Sequence, residues 1–499
     1  MRIAASHVGC IHIVGIGGIG MSGLAEILIG MGYEIQGSDS CHNKNTKRLQ
    51  DKGVTIFIGQ ESQNIANAKI VAISSAISAN NPEVVAAQAA GIPVVCRAEI
   101  LAAIMAMKSS IAVSGSHGKT TTTSLTASAL DQIDCNPTVI SGGIIKAYGT
   151  NAKLGHGDWI LVEADESDGT FTKIPAQIGV VTNIDTEHLD YYGNFAKLQQ
   201  AFLTFIENLP FYGIGFISAD CPVCQQLFSN FTNRKILTFG TSPSADIRGV
   251  VRTITPQHTT YTVTFSEKAC RHWNLPFPTD AVITLPMHGD HNMVNSLAGI
   301  AVALECGASI TALPALFSTF EGVDRRFSYV GTAANCTLID DYAHHPAEIE
   351  KVFETATQLT TGRVLLVTQP HRYSRLQSLM ERYVSVLSKA EYLFILPLYT
   401  AGEAPLPGID SATLAAHITE KSPCHVACPT TREELAASLR DVIQPGDIIL
   451  FTGAGDITQW ATDLLPLLDP HHDGLAPTDA APANTVAPVI DPHTKISTG

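Results

Sequence analysis

Residues 110–122 read SIAVSGSHGKTTT, a short apolar run that breaks into glycine and then meets a lysine among threonines. The run 110–113 predicts a buried strand, and the stretch from Lys119 predicts a helix. Between them, Gly115-Ser116-His117-Gly118-Lys119-Thr120 has the make-up of a phosphate-binding loop. Glycines bare the backbone N–H groups, and the start of a helix favours negative charge. Lys119 can reach the β- and γ-phosphate oxygens of ATP, and Thr120, followed by Thr121, offers a hydroxyl to Mg²⁺. The spacing is shorter than the usual GxxxxGK[ST], since only Ser116 and His117 part the two glycines. A strand, loop and helix in this order indicate an α/β domain with a mostly parallel sheet.

Upstream, strand-like runs at 8–16, 33–37, 54–58, 69–73 and 92–95 alternate with helical stretches such as 21–31 and 82–90. They predict a Rossmann-like domain over 1–107. Gly15-Ile16-Gly17-Gly18-Ile19-Gly20 fits GxGxxG between a strand and a helix, with Asp39 about 20 residues on. Gly17 and Gly18 would let the backbone approach a diphosphate. NAD is the usual ligand of such a loop, but a dehydrogenase would leave Lys119 and the acidic and basic clusters downstream unexplained. Residues 108–322 predict a P-loop ATPase-like domain, with further strands at 159–163 and 178–182. Alternation over 246–285 suggests a small antiparallel insert. Runs at 337–339, 363–367, 392–396 and 447–451 predict a second Rossmann-like sheet over 323–468. The stretch 469–499, rich in Pro, Ala, Asp and Thr, reads as a disordered tail.

Several clusters sit at predicted strand ends, where open α/β sheets bind ligands. Glu163-Ala164-Asp165-Glu166-Ser167-Asp168 crowds four acids into six residues, which repel unless a cation is near. His188, in TNIDTEHLD, could bind a metal or cap a helix. Asn292 and Asn295 share one helix face and could contact a nucleotide or cap the helix. Asp340-Asp341-Tyr342-Ala343-His344-His345 follows one strand of the third domain, and Gln369-Pro370-His371-Arg372-Tyr373-Ser374-Arg375 follows another. Two arginines three apart beside a histidine suit a carboxylate or phosphoryl group.

The balance of 31 basic and 46 acidic residues gives a net charge of −15, which argues against nucleic acid or an anionic membrane as partner. No run of residues is long and apolar enough for a membrane span. The 11 cysteines show no disulfide framework and suit a reducing cytoplasm. Cys221-Pro222-Val223-Cys224 is a lone pair without zinc or redox context, so a structural or incidental role is expected.

Taken in order, GIGGIGMSG (15–23), GSHGKTTT (115–122), EADESDGTF (163–171), TNIDTEHLDYYG (182–193), HGDHNMVN (288–295), FEGVDRRF (320–327), DDYAHHP (340–346) and QPHRYSR (369–375) resemble the motifs of the Mur ligases. These are ATP-dependent, amide-bond-forming enzymes of peptidoglycan precursor synthesis, and the short phosphate loop is the form they use. The resemblance is nearest to the branch that adds L-alanine to UDP-N-acetylmuramate, with a branch that adds a preformed peptide as the alternative. It implies three α/β domains that hold UDP-sugar, ATP and the amino acid in turn. It implies an acyl-phosphate intermediate and an enzyme that is a monomer or weak homodimer. By motif, Lys119 would stabilise the moving phosphoryl group, Thr120 and Glu163 would bind one Mg²⁺, and His188 a second. Asn292 and Asn295 would contact ATP, and Arg326 would hold substrate near a hinge. Tyr342, His344, His371, Arg372 and Arg375 would form the amino-acid site. Ser22, Asp39 and Ser75 would contact UDP. Lys197 is not expected to carry the carbamate that some Mur ligases use.

Overall fold

The computed structural model describes residues 8–469 apart from 75, 256 and 257. Three sheets follow one another along the chain. The first holds β1 (Cys10–Val14), β2 (Ile35–Asp39), β3 (Thr55–Ile58), β4 (Ala68–Ile73) and β5 (Val94–Cys96) in the order β3-β2-β1-β4-β5, all parallel. The strand order reverses between β1 and β4. The glycine loop leaves β1 at that reversal, where such sheets open a crevice. All five residues of β1 are buried, as a strand covered on both faces requires.

The second sheet has β6 (Ser109–Ser114), β7 (Thr138–Ile145), β8 (Thr150–Lys153), β9 (Trp159–Glu163), β10 (Ile178–Val181), β11 (Ile214–Ser218), β12 (Lys235–Gly240), β13 (Ile247–Ile254), β14 (Thr259–Phe265) and β15 (Asp280–Leu285). The order is β15-β14-β13-β12-β11-β10-β6-β9-β7-β8. The predicted insert is antiparallel through β13, β14 and β15, but it is not a separate unit. β13 pairs parallel with β12, so the hairpins extend the main sheet, and a helix at Glu267–His272 interrupts them. The helix Lys119–Gln132 packs against Asp290–Glu305, which carries Asn292 and Asn295 to the phosphate loop.

The third sheet has β16 (Ser328–Ala333), β17 (Cys336–Asp341), β18 (Val364–Thr368), β19 (Tyr392–Ile395), β20 (His425–Ala427) and β21 (Ile448–Thr452) in the order β16-β17-β21-β18-β19-β20. Only β16, which no sequence signal marked, runs antiparallel. Nearly all of the stretch read as a tail, from residue 470 on, lies outside the described residues, as does Ser75. Among the described residues no helix is long and apolar enough to cross a membrane.

The first two units share a core. Leu24, Ile27 and Leu28 on the helix Ile19–Gly30 belong to the same apolar cluster as Ile140 and Ala152 on β7 and β8. A buried acid ties this seam. Glu26 accepts from Arg48 Nε at 2.5 Å and from Thr150 Oγ1 at 3.0 Å, and lies 3.0 Å from Lys52 Nζ. Removing it strands a partly buried guanidinium, which costs about 1–3 kcal/mol. Glu26→Ala should therefore lower the melting temperature by several degrees. A melt within about 1 °C of the parent protein would show that the network carries no stability.

Candidate active site

The phosphate loop is shaped by two glycines and gripped from the end of β10. Gly115 has φ +136°, and a Cβ there would lie 2.0 Å from Thr182 Oγ1. Gly118 has φ +79°, and a Cβ there would lie 2.9 Å from Asn295 Oδ1. Asn183 Oδ1 accepts the His117 N–H at 2.8 Å, while Asn183 Nδ2 and Thr182 Oγ1 donate to the His117 carbonyl at 2.9 and 2.6 Å. Ser116 Oγ accepts the Asp185 N–H at 2.9 Å. Thr121 is buried in the first turn of the helix behind.

Lys119 points back across this loop. Its Nζ donates to the Gly115 carbonyl at 2.8 Å and to both oxygens of Glu166, at 2.9 and 2.7 Å. Burial works against its charge, yet Glu166 and Asp165 hold its pKa above the ordinary lysine value. Thr120 Oγ1 donates to Glu163 Oε1 at 2.9 Å, and Glu163 Oε2 accepts the Gly142 N–H at 2.6 Å. His188 does not join them. Its Nε2 lies 3.6 Å from Glu166 and 3.5 Å from Glu187, and Asp165, Glu166 and His188 place donor atoms within 4.8 Å of one another. The expected metal ligands are thus divided into two adjacent groups.

Both groups fit a divalent cation. Mg²⁺ takes oxygen donors, and the Thr120 hydroxyl and Glu163 carboxylate converge at a helix start. Burial pushes the Glu166 carboxyl up to about 7, with Asp165 adding to it and Lys119 opposing. Lys119 thus offsets only part of the burial at Glu166, while Asp165, against its own burial, is held below the ordinary carboxylate range by Lys119 and Ser167. His188 has φ +55°, a strained conformation of the kind that collects at functional sites. Lys197 is exposed on the helix Phe195–Glu207.

The third unit supplies the opposite wall. Arg375 Nη1 donates to His371 Nδ1 at 3.1 Å, and the His371 ring stacks on Tyr399 at 5.5 Å. His344 lies 5.7 Å from His371 and 5.4 Å from Tyr342, ring to ring. Burial, helped by the arginines, lowers the pKa of His371 to about 4 and that of His344 to about 3, so both rings are neutral. The guanidinium groups of Arg325 and Arg326 lie 4.7 and 5.3 Å from the centre of the Tyr342 ring. Arg372, which opens the next helix, has φ +67°.

In the first unit, Asp39 Oδ2 accepts the Gly17 N–H at 2.8 Å, so the acid holds the glycine loop in shape. A Cβ at Gly17 would lie 2.5 Å from Asn43 Nδ2 and 2.8 Å from Asp39 Oδ2, so a side chain there would push both from their places. Gly18 caps the following helix. Ser22, expected at the nucleotide, is wholly buried and donates its hydroxyl to the Ile19 carbonyl at 3.1 Å. Arg97 lies across Gly20, where a Cβ would come 2.8 Å from its guanidinium carbon.

One cleft of about 1180 Å³ joins these parts. Gly20, Lys44 and Arg97 line it from the first unit, and Ser116, Gly118, Lys119, Thr120, Glu163 and His188 from the second. Arg326, Tyr342, His344, His371, Arg372 and Arg375 line it from the third. Gly17, Gly18, Ser22, Asp39, His117, Thr121, Asn292 and Asn295 do not line it. Asn292 Nδ2 donates to the His288 carbonyl at 2.7 Å, and Asn295 abuts Gly118.

Three family descriptions match successive parts of the chain. They are the Mur ligase family catalytic domain over residues 10–109, the Mur ligase middle domain over 113–303, and the Mur ligase glutamate ligase domain over 325–455. The chain belongs to the Mur ligase family. It is similar to the UDP-N-acetylmuramate–L-alanine ligases of Brucella anthropi (45% identical, 91% of this chain and 96% of that one) and Azorhizobium caulinodans (47%, 91% and 96%). Among solved structures it resembles the UDP-N-acetylmuramate–alanine ligase of Thermotoga maritima, with a TM-score of 0.76 at 26% identity over 91% of this chain and 98% of that one. A murein peptide ligase from Psychrobacter arcticus shares the fold, with a TM-score of 0.67 at 20% identity over 94% of this chain and 100% of that one.

Sequence reasoning missed four parts of this Mur ligase site. Glu166, the partner of Lys119, was one acid among four. Asn183 grips the loop through its side chain, and nothing in its spacing shows that. Glu348 reads only as a helix-capping residue, three after His345. Lys44 and Arg97 belong to no motif.

Two substitutions test the assignments. Lys119→Ala should cut turnover by about 10²–10³ while leaving sugar-nucleotide affinity unchanged, as steady-state rates and calorimetry would show. Retention of most of the rate would remove Lys119 from the phosphate loop's chemistry. Arg375→Ala should raise the amino-acid requirement about 10- to 100-fold and the ATP requirement far less. Equal effects on both would move Arg375 out of the amino-acid site.

Proposed function

We propose that the protein joins the amino group of L-alanine to the carboxylate of UDP-N-acetylmuramate, with ATP converted to ADP and phosphate. As a Mur ligase it is an ATP-dependent enzyme that forms amide bonds. The observation that carries the finer reading is the single cleft. It brings a phosphate loop, a glycine loop flanked by Arg97, and the Tyr342–His371–Arg375 group to face one space. Relatives of 45–47% identity that carry the alanine-ligase name support it.

In this reading the units 1–107, 108–322 and 323–468 each bring one reactant. The glycine loop, Lys44 and Arg97 bind the UDP diphosphate. The loop 115–120 binds ATP, with Asn295 against it. The muramoyl carboxylate attacks the γ-phosphorus, giving an acyl phosphate and ADP. Lys119 shifts its charge from Glu166 to the moving phosphoryl group, so it is already placed where negative charge develops. Thr120 and Glu163 would hold one Mg²⁺ and His188 a second, which neutralise phosphate charge. The alanine carboxylate pairs with Arg375 and Arg372, and Arg326 holds the sugar-nucleotide side. The neutral His344 and His371 add no charge that would repel an approaching ammonium. Once the ammonium has given up a proton, the amine attacks the acyl carbon, the C–N bond forms as the acyl C–O bond breaks, phosphate leaves, and a second proton is lost from nitrogen. Most of the rate comes from holding reactants in line. In this reading the enzyme works in the cytoplasm, as a monomer or weak homodimer.

The test is phosphate release from ATP and Mg²⁺ with UDP-N-acetylmuramate and a panel of acceptors. Release that needs both the sugar nucleotide and L-alanine is the expected result. Release with a preformed peptide and none with alanine would overturn the reading in favour of a peptide-adding ligase.

A further inference from the structure

Glu348 occupies the third position of the helix Pro346–Leu359 and forms a capping box with His345. One carboxylate oxygen does that local work: Oε2 accepts the N–H groups of His344 and His345 at 3.2 and 3.3 Å. The other leaves its own unit. Oε1 accepts from His117 Nδ1 at 3.2 Å, and His117 Nε2 donates to Asp185 Oδ2, also at 3.2 Å. With both nitrogens donating, the ring is an imidazolium. Burial alone would discharge it, but Asp185 and Glu348 outweigh burial and hold its pKa at about 10.

The cluster is not built to hold a metal. His117, Asp185 and His345 place donor atoms within 4.8 Å of one another. However, both nitrogens of His117 carry protons. His345 Nδ1 accepts the Ala347 N–H at 3.4 Å, which turns its Nε2 toward Glu187 at 3.9 Å. This is a proton-bridged contact between two units of the chain.

Its two ends matter for chemistry. His117 lies inside the phosphate loop, between Gly115 and Gly118. His344, whose backbone Glu348 holds, lines the cleft beside Tyr342 and His371. One carboxylate, itself at the wall of the cleft, therefore touches the loop that takes ATP and the segment that lines the amino-acid pocket. We propose that Glu348 is a positioning residue that couples the phosphate loop to the amino-acid pocket through its ion pair with His117. The pair sets how the third unit docks, and the docked position brings His344 and its neighbours to the working distance. The consequence for turnover rests on the ligase function proposed above; the docking does not.

The experiment compares Glu348→Gln, His117→Asn and the double variant with the full-length parent. Glutamine keeps an amide oxygen for the His344 and His345 N–H groups and removes the charge. Each single change should raise the KM for L-alanine about tenfold, as expected for contacting charged groups, and leave the dissociation constant for UDP-N-acetylmuramate unchanged. The double variant should be no worse than the weaker single one, because both remove the same contact. Additive effects, or a parental KM in Glu348→Gln, would overturn the coupling. Small-angle scattering gives a readout that needs no turnover: Glu348→Gln should enlarge the radius of gyration at matching thermal stability. An unchanged radius would overturn the docking role even if alanine proves not to be the acceptor.

Discussion

The site depends on a loop that is held by its neighbours rather than by itself. Gly115 and Gly118 turn the backbone at positive φ, and the Ser116 N–H donates outward to the Asn183 carbonyl at 3.1 Å rather than along the loop. The Asn183 side chain adds to this from the next strand end, giving an acceptor to His117 N–H and a donor to its carbonyl. Lys119 is folded over the same loop by Glu166. In the proposed reading a phosphate would meet a loop and a lysine already held in place. Fixing them in advance avoids an ordering cost during the reaction.

Two kinds of seam join the three units. Between the first and second, apolar side chains of the helix Ile19–Gly30 run into those of β7 and β8 as one cluster. Between the second and third, ion pairs cross, His117 with Glu348 and Arg382 with Asp185 at 3.6 Å, beside a neutral His345 that faces Glu187 at 3.9 Å and a His288 ring against Phe327. The chain passes between these units through 322–327, where Gly322, Arg325 and Phe327 all have positive φ.

Much of this was legible in the sequence, for reasons that can be named. The strand at 159–163 was read to the residue, because WILVE is an unbroken apolar run ending in a carboxylate. The parallel strands β1, β4 and β6 were legible for the same reason. The strands β7, β8, β11, β12, β16 and β20 were not. Gly142 and Gly143 blur the period of β7, and β16 is half-exposed. The antiparallel stretch 246–285 was read as strands, which holds for β13, β14 and β15 but not for the helix Glu267–His272; pairing partners are tertiary facts, so its place on the main sheet was hidden. Site residues that carry a charge in a glycine-rich or acidic setting, such as Lys119 and Glu163, stood out. Those that act through geometry, such as Asn183, or that double as helix caps, such as Glu348, look ordinary until the fold brings them to the loop.

The unlike character of the two seams has its own consequence. An apolar seam is strengthened by salts excluded from protein surfaces, and it weakens on cooling. A seam of partly exposed ion pairs loosens as added electrolyte shortens the reach of charge to below ~10 Å. The same molecule therefore answers its solvent in two ways: the floor that carries the two nucleotide loops holds firm in brine, while the jaw above it slackens.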